Sequence, residues 1–247
     1  MSLHLGTSGW SYPEWSPALY PRGLARGDYL AHYARHLGAC EVNGTFHRLQ
    51  PPGAVARWAS AVPAGFRFAV KAHRALTHAR AFPPPPGDRV RAAFLDSIAP
   101  LGALLGTVLV PVPPHRTRDE ATLAALLGDV LPGPPLTLEL KDPSWDVPEV
   151  REAVAAAGAT VCLTHRDGPV PEALHPGPHA YVRLRAEAYT PAERDGWADL
   201  LRREARHRPV FAFARHQGLP PDDPSCGLGL ARWLAGRAGA PAAPPPP

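Results

Sequence analysis

The sequence predicts an α/β chain folded as a closed (β/α)8 barrel, and three observations carry that expectation. Eight short apolar or alternating runs recur along 247 residues, and helix-patterned segments stand between most of them. Regular alternation of strand and helix implies a parallel sheet. Eight such units in roughly 235 residues match the usual size of a closed barrel. A doubly wound open sheet is the alternative, but no Gly-rich nucleotide loop follows the first strand; Gly6 to Gly9 alone is weak support for one.

The elements can be justified in order. Leu3 to Ser8 reads as the first strand, followed by an aromatic, Pro-rich loop with Trp10, Tyr12, Trp15 and Tyr20. Asp28 is placed to N-cap a helix carrying Leu30, Tyr33, Ala34 and Leu37, which Gly38 ends. The second strand starts at Ala39-Cys40-Glu41-Val42-Asn43, and the next helix carries Val55, Trp58, Ala59 and Val62. Phe66 to Lys71 is the third strand. The Pro83–Pro86 run reads as a stiff linker before a helix marked by Val90, Phe94, Ile98 and Leu101. Thr107 to Val110 is the fourth strand, stopped by Pro111, Pro113 and Pro114. Leu123, Leu126, Leu127 and Val130 mark a fourth helix, and Leu136 to Lys141 a clearly alternating fifth strand. A helix over 148–157, a strand over Thr160–Thr164, a strand over Ala180–Arg185, a helix with Trp197, Leu200 and Leu201, a strand over Pro209–Phe213 and a helix with Leu230, Trp233 and Leu234 complete the set. The expected domain is 1–236, with 237–247 an Ala/Pro-rich disordered tail.

Composition narrows the function classes. Hydrophobic content of 45% with 19% charged residues is ordinary for a soluble globular chain. No run approaches the roughly 18 apolar residues of a membrane span, and no signal segment is apparent, so a cytoplasmic location and no membrane partner are expected. Cys40, Cys162 and Cys226 are widely spaced and form no CxxC pair, which argues against a disulfide framework or zinc site. The net charge is +4 and the pI about 9.2, with the arginines scattered, so nucleic-acid binding is open but not indicated. Only two of the 26 basic residues are lysines, Lys71 and Lys141, and Asn43 is the only asparagine. All three fall near the ends of expected strands.

In a barrel the site forms at the C-terminal strand ends. Alternation along each strand then selects the inward residues. These are Ser8 with Trp10 beyond it, Glu41 and Asn43, Lys71 and His73, Glu139 and Lys141, and Tyr181, Arg183 and Arg185. Two carboxylates against Lys71, Lys141, Arg183 and Arg185 leave a formal surplus of +2, which favours a small anionic ligand such as a phosphate, sulfate or carboxylate. Each residue alone could equally be a structural ion pair; polar inward residues on four strands together favour a site.

The expected catalytic set is Glu41, Glu139 and Lys71, with a carboxylate as general acid or base. Crowding by cations would keep Glu41 ionised, which suits a base or an ion-pair anchor. The expected binding set is Asn43, Lys141, Arg183, Arg185, His73, His78, Trp10 and Tyr12. His73 and His78 could donate to phosphate or act as acid–base groups, although loop histidines are common among the twelve present. The aromatic loop lies over the mouth, where it either stacks on a ring or sugar face or plugs the barrel top. A metal set of Glu41, His47, His73, His78 and Glu139 lacks a recognised ligand spacing and has cations beside it, so no metal or cofactor is expected. Schiff-base chemistry at Lys71 or Lys141 is the weaker alternative, and Ser8 lacks a nucleophile-elbow context. The anion model requires Lys71 and Arg183 to lie within about 15 Å of each other, the span of one mouth. No oligomeric state follows from the sequence.

Gly6-Thr7-Ser8-Gly9-Trp10-Ser11-Tyr12 with Trp15 and Tyr20-Pro21, the Glu41, Asn43, Thr45, Phe46 group, Trp58, Phe66 to Lys71, and Thr77-His78 together resemble the domain-of-unknown-function-72, or YecE-like, family. Glu139, Lys141, Ser144-Trp145 and Tyr181-Val182-Arg183-Leu184 resemble its later motifs. The resemblance runs from Leu5 to about Phe213 and implies a TIM barrel; it assigns no reaction. Hydrolase or lyase chemistry on a phosphorylated or carboxylated small molecule would suit the groups present, and a non-catalytic anion- or nucleic-acid-binding protein is the competing class. The sequence departs from the family pattern at His47 (usually Tyr), Pro111 (Gln), Lys141 (Arg), Arg185-Ala186 (His-Gly) and Ala214-Arg215-His216 (an Asn pair). An arginine in place of Lys141 points to anion binding there, since arginine forms no imine.

Overall fold

The structure, a computed structural model, describes residues 2–78, 89–128, 130–215 and 220–239. Nine parallel strand segments form one sheet: β1 (Leu3–Ser8), β2 (Ala39–Val42), β3 (Arg67–Lys71), β4 (Leu105–Val112), β5 (Leu136–Leu140), β6 (Thr160–Val161), β7 (Leu163–His165), β8 (Ala180–Leu184) and β9 (Val210–Ala214). Their order is β6-β5-β4-β3-β2-β1-β9-β8-β7. The two sheet edges are consecutive pieces of the expected sixth strand, parted at Cys162. β6 pairs with β5 and β7 pairs with β8, so the sheet curls into a nearly closed barrel of eight staves.

Helices α1 (Tyr29–Tyr33), α2 (Pro52–Ser60), α3 (Arg89–Ile98), α4 (Glu120–Gly128), α5 (Pro148–Ala156), α6 (Pro191–Glu204) and α7 (Gly227–Ala238) surround it. The outward strand residues, among them Cys40, Val42, Phe68, Val70, Val108, Val110, Leu138, Val182 and Leu184, join the helix faces in one large core. A smaller apolar cluster of Ala39, Ala69, Leu109, Cys162, Tyr181, Phe211 and Phe213 fills the barrel interior. Period-two alternation thus splits each strand between the two, as in other packed barrels.

Several local expectations change. Asp28 ends a 3-10 turn over Arg26–Asp28 and its side chain makes no cap bond, so the first helix is a single short turn. β4 runs through Pro111 to Val112. Alternate residues in a strand turn their amides to opposite neighbours, so Pro111, like Leu109, faces β3. β3 has ended at Lys71, so the missing proline N–H removes no ladder bond there. Leu101 falls in a 3-10 segment after α3, and Val130 lies beyond α4. α7 continues through Ala238, which is buried, to a left-handed Gly239 cap, so its last turn crosses the expected boundary at 236. The Pro83–Pro86 run, His216 and residues 240–247 lie outside the described residues.

Candidate functional site

The polar strand ends converge on the C-terminal mouth, and Glu41 sits at their centre. It is fully buried on β2. One carboxylate oxygen, Oε1, accepts from Ser8 Oγ at 2.6 Å, Asn43 Nδ2 at 3.0 Å, Arg183 Nη2 at 3.0 Å and Arg185 Nη2 at 3.1 Å. The other accepts from Tyr181 Oη at 2.8 Å and lies 2.9 Å from Arg183 Nε. Burial alone would raise the Glu41 carboxyl, but Arg183 and Arg185, with Ser8 and Asn43 donating, outweigh it and hold the group well below the usual carboxylate range. Glu41 is therefore an anion whose acceptor capacity is already taken up.

The second carboxylate, Glu139 on β5, pairs through Oε1 with Arg183 Nη1. Its Oε2 lies 3.6 Å from Lys71 Nζ and 3.9 Å from Lys141 Nζ, and is buried without a hydrogen-bond partner. Arg183 thus bridges both carboxylates, and Lys71 and Arg183 meet on one side chain, far inside the 15 Å limit. Burial lowers the Arg183 guanidinium, but Glu41 and Glu139 more than restore it, so its pKa lies above the ordinary arginine value. Burial lowers the Lys71 ammonium; Glu139 opposes this and Arg183 adds to it. Lys71 also stands 4.9 Å over the Phe46 ring, which Thr45 helps fix by donating to the Lys71 carbonyl at 2.6 Å. Arg185 is pinned by Nη1 donating to the Phe213 carbonyl at 2.8 Å.

Above these groups opens a cavity of about 460 Å³ lined by Ser8, Tyr12, Asn43, Lys71, Arg166, Arg183, Arg185 and Arg215. Five of the eight lining residues are cationic and none is acidic. Glu41 and Glu139 lie behind the wall, so the seven charges sum to +3. Arg183, Arg185 and Lys71 are tied to carboxylates; Arg166 and Arg215 have no carboxylate within 4 Å among the described residues. Sequence reasoning did not select Arg166 or Arg215 for the site. Both stand one residue past a strand's end, as Asn43 and Arg185 do, and at even steps from the inward Cys162 and Phe213, so alternation carried one residue further is the signal that finds them.

The remaining expected residues divide. Asn43 and Tyr12 line the cavity, the latter donating to the Ser8 carbonyl at 2.7 Å. Lys141 reaches Glu139 but lines a different cavity of about 360 Å³, with Asp142, Arg151 and Thr164. His73 is used locally: its Nδ1 accepts from Ala75 N at 3.2 Å, closing a 3-10 turn. His78 pairs with Thr77 Oγ1 at 2.8 Å and meets Phe46 edge-on, and burial with Lys141 nearby lowers it to about 4, so it is neutral at pH 7. Neither histidine lines the cationic cavity. Among the described residues no three His, Cys, Asp or Glu side chains converge as metal ligands.

The aromatic loop divides: Trp15 and Tyr20 are buried in the outer core, stacked on Tyr33 and Tyr29 of α1 and not plugging the barrel top, whereas Trp10 and Tyr12 stay partly exposed. Trp10 meets Trp58 of α2 edge to face, 5.3 Å between ring centres. Gly9 makes the bend possible: its φ is +90°, and a Cβ there would stand 2.5 Å from the Tyr12 hydroxyl.

The family model described as "Protein of unknown function DUF72" matches residues 4–243. The UPF0759 protein YunF of Bacillus subtilis (strain 168) is 28% identical over 160 residues, 61% of this chain and 54% of that protein. The UPF0759 protein YecE of Escherichia coli (strain K12) is 28% identical over 131 residues, 53% of this chain and 45% of that one. The matched stretch thus spans about half the length of each relative. In fold, a DUF72 family protein of Enterococcus faecalis V583 superposes with a TM-score of 0.76 at 19% identity, covering 97% of this chain and 96% of that one. A DUF72 family protein of Thermotoga maritima MSB8 gives 0.69 at 21% identity, covering 86% and 92%.

Proposed function

The chain belongs to the DUF72 family, and on that footing we propose that its barrel mouth binds a small anionic molecule bearing a phosphate or carboxylate. The carrying observation is the wall of five cations without a carboxylate among them, two of them, Arg166 and Arg215, having no described carboxylate partner. A volume of about 460 Å³ is in the range of small-molecule sites. Arginine forks suit the planar oxygens of either anion, and Lys71 adds a point charge. Nucleic-acid binding is the less supported reading, because the cations are gathered inside a concave mouth.

We read Glu41 as an anchor, not a base: its carboxylate holds Arg183 and Arg185 and already accepts from Ser8, Asn43 and Tyr181. If the bound anion is turned over by hydrolysis or elimination, Lys71, which lines the cavity, is the acid–base group in reach, with Glu139 behind the wall as its proton and charge partner. This version is favoured by one observation, that Glu139 Oε2 is buried with no hydrogen-bond partner 3.6 Å from the ammonium. The three cysteines are buried free thiols, which suits a reducing compartment, and we place the protein in the cytoplasm.

The test is a panel of phosphomonoesters and carboxylates assayed for thermal stabilisation at constant ionic strength and for turnover. Stabilisation by anions over chloride supports the reading, and its absence across the panel overturns it. Turnover lost in both Glu139→Gln and Lys71→Met makes the protein an enzyme; stabilisation without turnover makes it a binder.

A further inference from the structure

Beside the cationic cavity lies a groove of about 220 Å³ in which Trp10, Tyr12, Trp58, Asn43 and Gln50 meet. Tyr12 and Asn43 line both spaces, so the two adjoin across these side chains. Their chemistry differs sharply. The groove contains no charged side chain, while the cavity wall is mostly charge. Trp15, Trp145 and Trp197 are buried at 2% exposure or less, as core tryptophans are, yet Trp10 and Trp58 remain half-exposed at the groove. Their rings stand at 81° and form an apolar corner. The open part of the two rings is apolar surface that a flat ligand can cover.

Asn43 stands at the junction with its amide orientation fixed. Its Nδ2 donates to Glu41, which accepts only, so the Asn43 amide oxygen is the acceptor this side chain can offer a ligand.

We propose that the ligand has two parts: an anionic head held in the cationic cavity and a flat, uncharged ring seated against Trp10 and Trp58, with an N–H or O–H near the junction for Asn43. The class is a phosphorylated or carboxylated aromatic or heteroaromatic molecule. This rests on the anion-binding reading above and adds the chemistry of the rest of the ligand. Aliphatic anions fill only the head site.

The experiment compares phenylphosphonate with methylphosphonate, which share a non-hydrolysable anionic head and differ by the ring, by titration calorimetry on the full chain with indole fluorescence followed in parallel. Ring stacking of the usual strength makes phenylphosphonate bind about fivefold tighter or more. It also perturbs indole emission, which methylphosphonate leaves unchanged. In Trp58→Ala the two affinities converge while methylphosphonate binding is retained, and Trp58→Phe restores part of the gap. Equal affinities on the unaltered protein overturn the inference and leave the anion reading standing, and this arm needs no variant to fold. A preference that persists in Trp58→Ala also overturns it. If neither phosphonate binds, the anion reading itself fails, and the inference with it.

Discussion

The two ends of the barrel make an instructive comparison. The N-terminal end holds the larger space, about 600 Å³ among His4, Arg67, Gly106, Pro135, His179 and Phe211, yet its polar groups are already paired or neutral. Arg67, its one cation, donates to the Ala64 and Phe66 carbonyls, both at 2.8 Å. His179 joins Thr137 at 2.8 Å, and Thr137 joins Thr107 at 2.9 Å. His4 stacks on Phe211 at 4.9 Å. Burial, then Arg67 for His4 and Arg208 for His179, lowers both histidines to about 4, so they carry no charge at pH 7. The mouth cavity is smaller but gathers five cations where the N-terminal end has one. Volume alone does not make a site; the concentration of cations does.

The sharpest way to break this comparison is to remove Arg183, which neutralises two buried carboxylates at once. Arg183→Met should cost about 3–5 kcal/mol of stability by leaving buried charge unpaired, measured by denaturant unfolding. Arg67→Met at the other end, whose bonds are to backbone at partly exposed positions, should cost about 1 kcal/mol. Similar costs at both ends would remove the distinction.

The pH dependence separates the ends next. His4 and His179 have folded-state pKa values below their unfolded value of 6.5, so the unfolded chain binds more protons between about pH 4 and 6.5. Stability should therefore fall as pH drops through that window, by on the order of 2 kcal/mol per histidine after allowing for incomplete burial. His179→Gln, which can keep the bond to Thr137, should flatten that slope. Glu41 acts at lower pH. Its folded pKa is depressed, so its contribution is fully present above the unfolded carboxyl value and is lost as pH falls through and below about 4. Glu41→Gln should flatten only this lower limb. A variant that flattens both limbs would show that the two ends are coupled.

The smallest stability effects should fall where the binding effects are greatest. Arg166→Ala and Arg215→Ala break no described ion pair, so each should leave stability within about 0.5 kcal/mol. Each should nonetheless weaken phosphate binding by about 1 kcal/mol, roughly fivefold.

Much of this was legible in the sequence because a strand's period of two is simple. The eight staves, and the inward placement of Glu41, Lys71, Glu139, Tyr181 and Arg183, all follow from it. One residue past a strand's end the period still serves, as Asn43 and Arg185 show, and further out it fails. His73, expected at the mouth from continued alternation, and His78 in the loop after it are used locally, and Arg166 and Arg215 enter the cavity wall just past their strands. Trp58 was masked differently. Its spacing from Val55 reads as the buried face of α2, but at the flank of that face it is half-exposed and borders the groove. The break at Cys162 leaves no trace in the apolar run Thr160–Thr164, because it arises from one strand serving two neighbours at different heights.

The central claim, that uncompensated cations at the mouth form an anion site, is tested most directly by titrating inorganic phosphate at low ionic strength into the unaltered protein, the Arg166→Ala/Arg215→Ala double variant and Arg67→Ala. The predicted result is one saturable site, weakened about tenfold or more in the double variant and unchanged in Arg67→Ala. Saturable binding that survives the double substitution, or none in the unaltered protein, would contradict it.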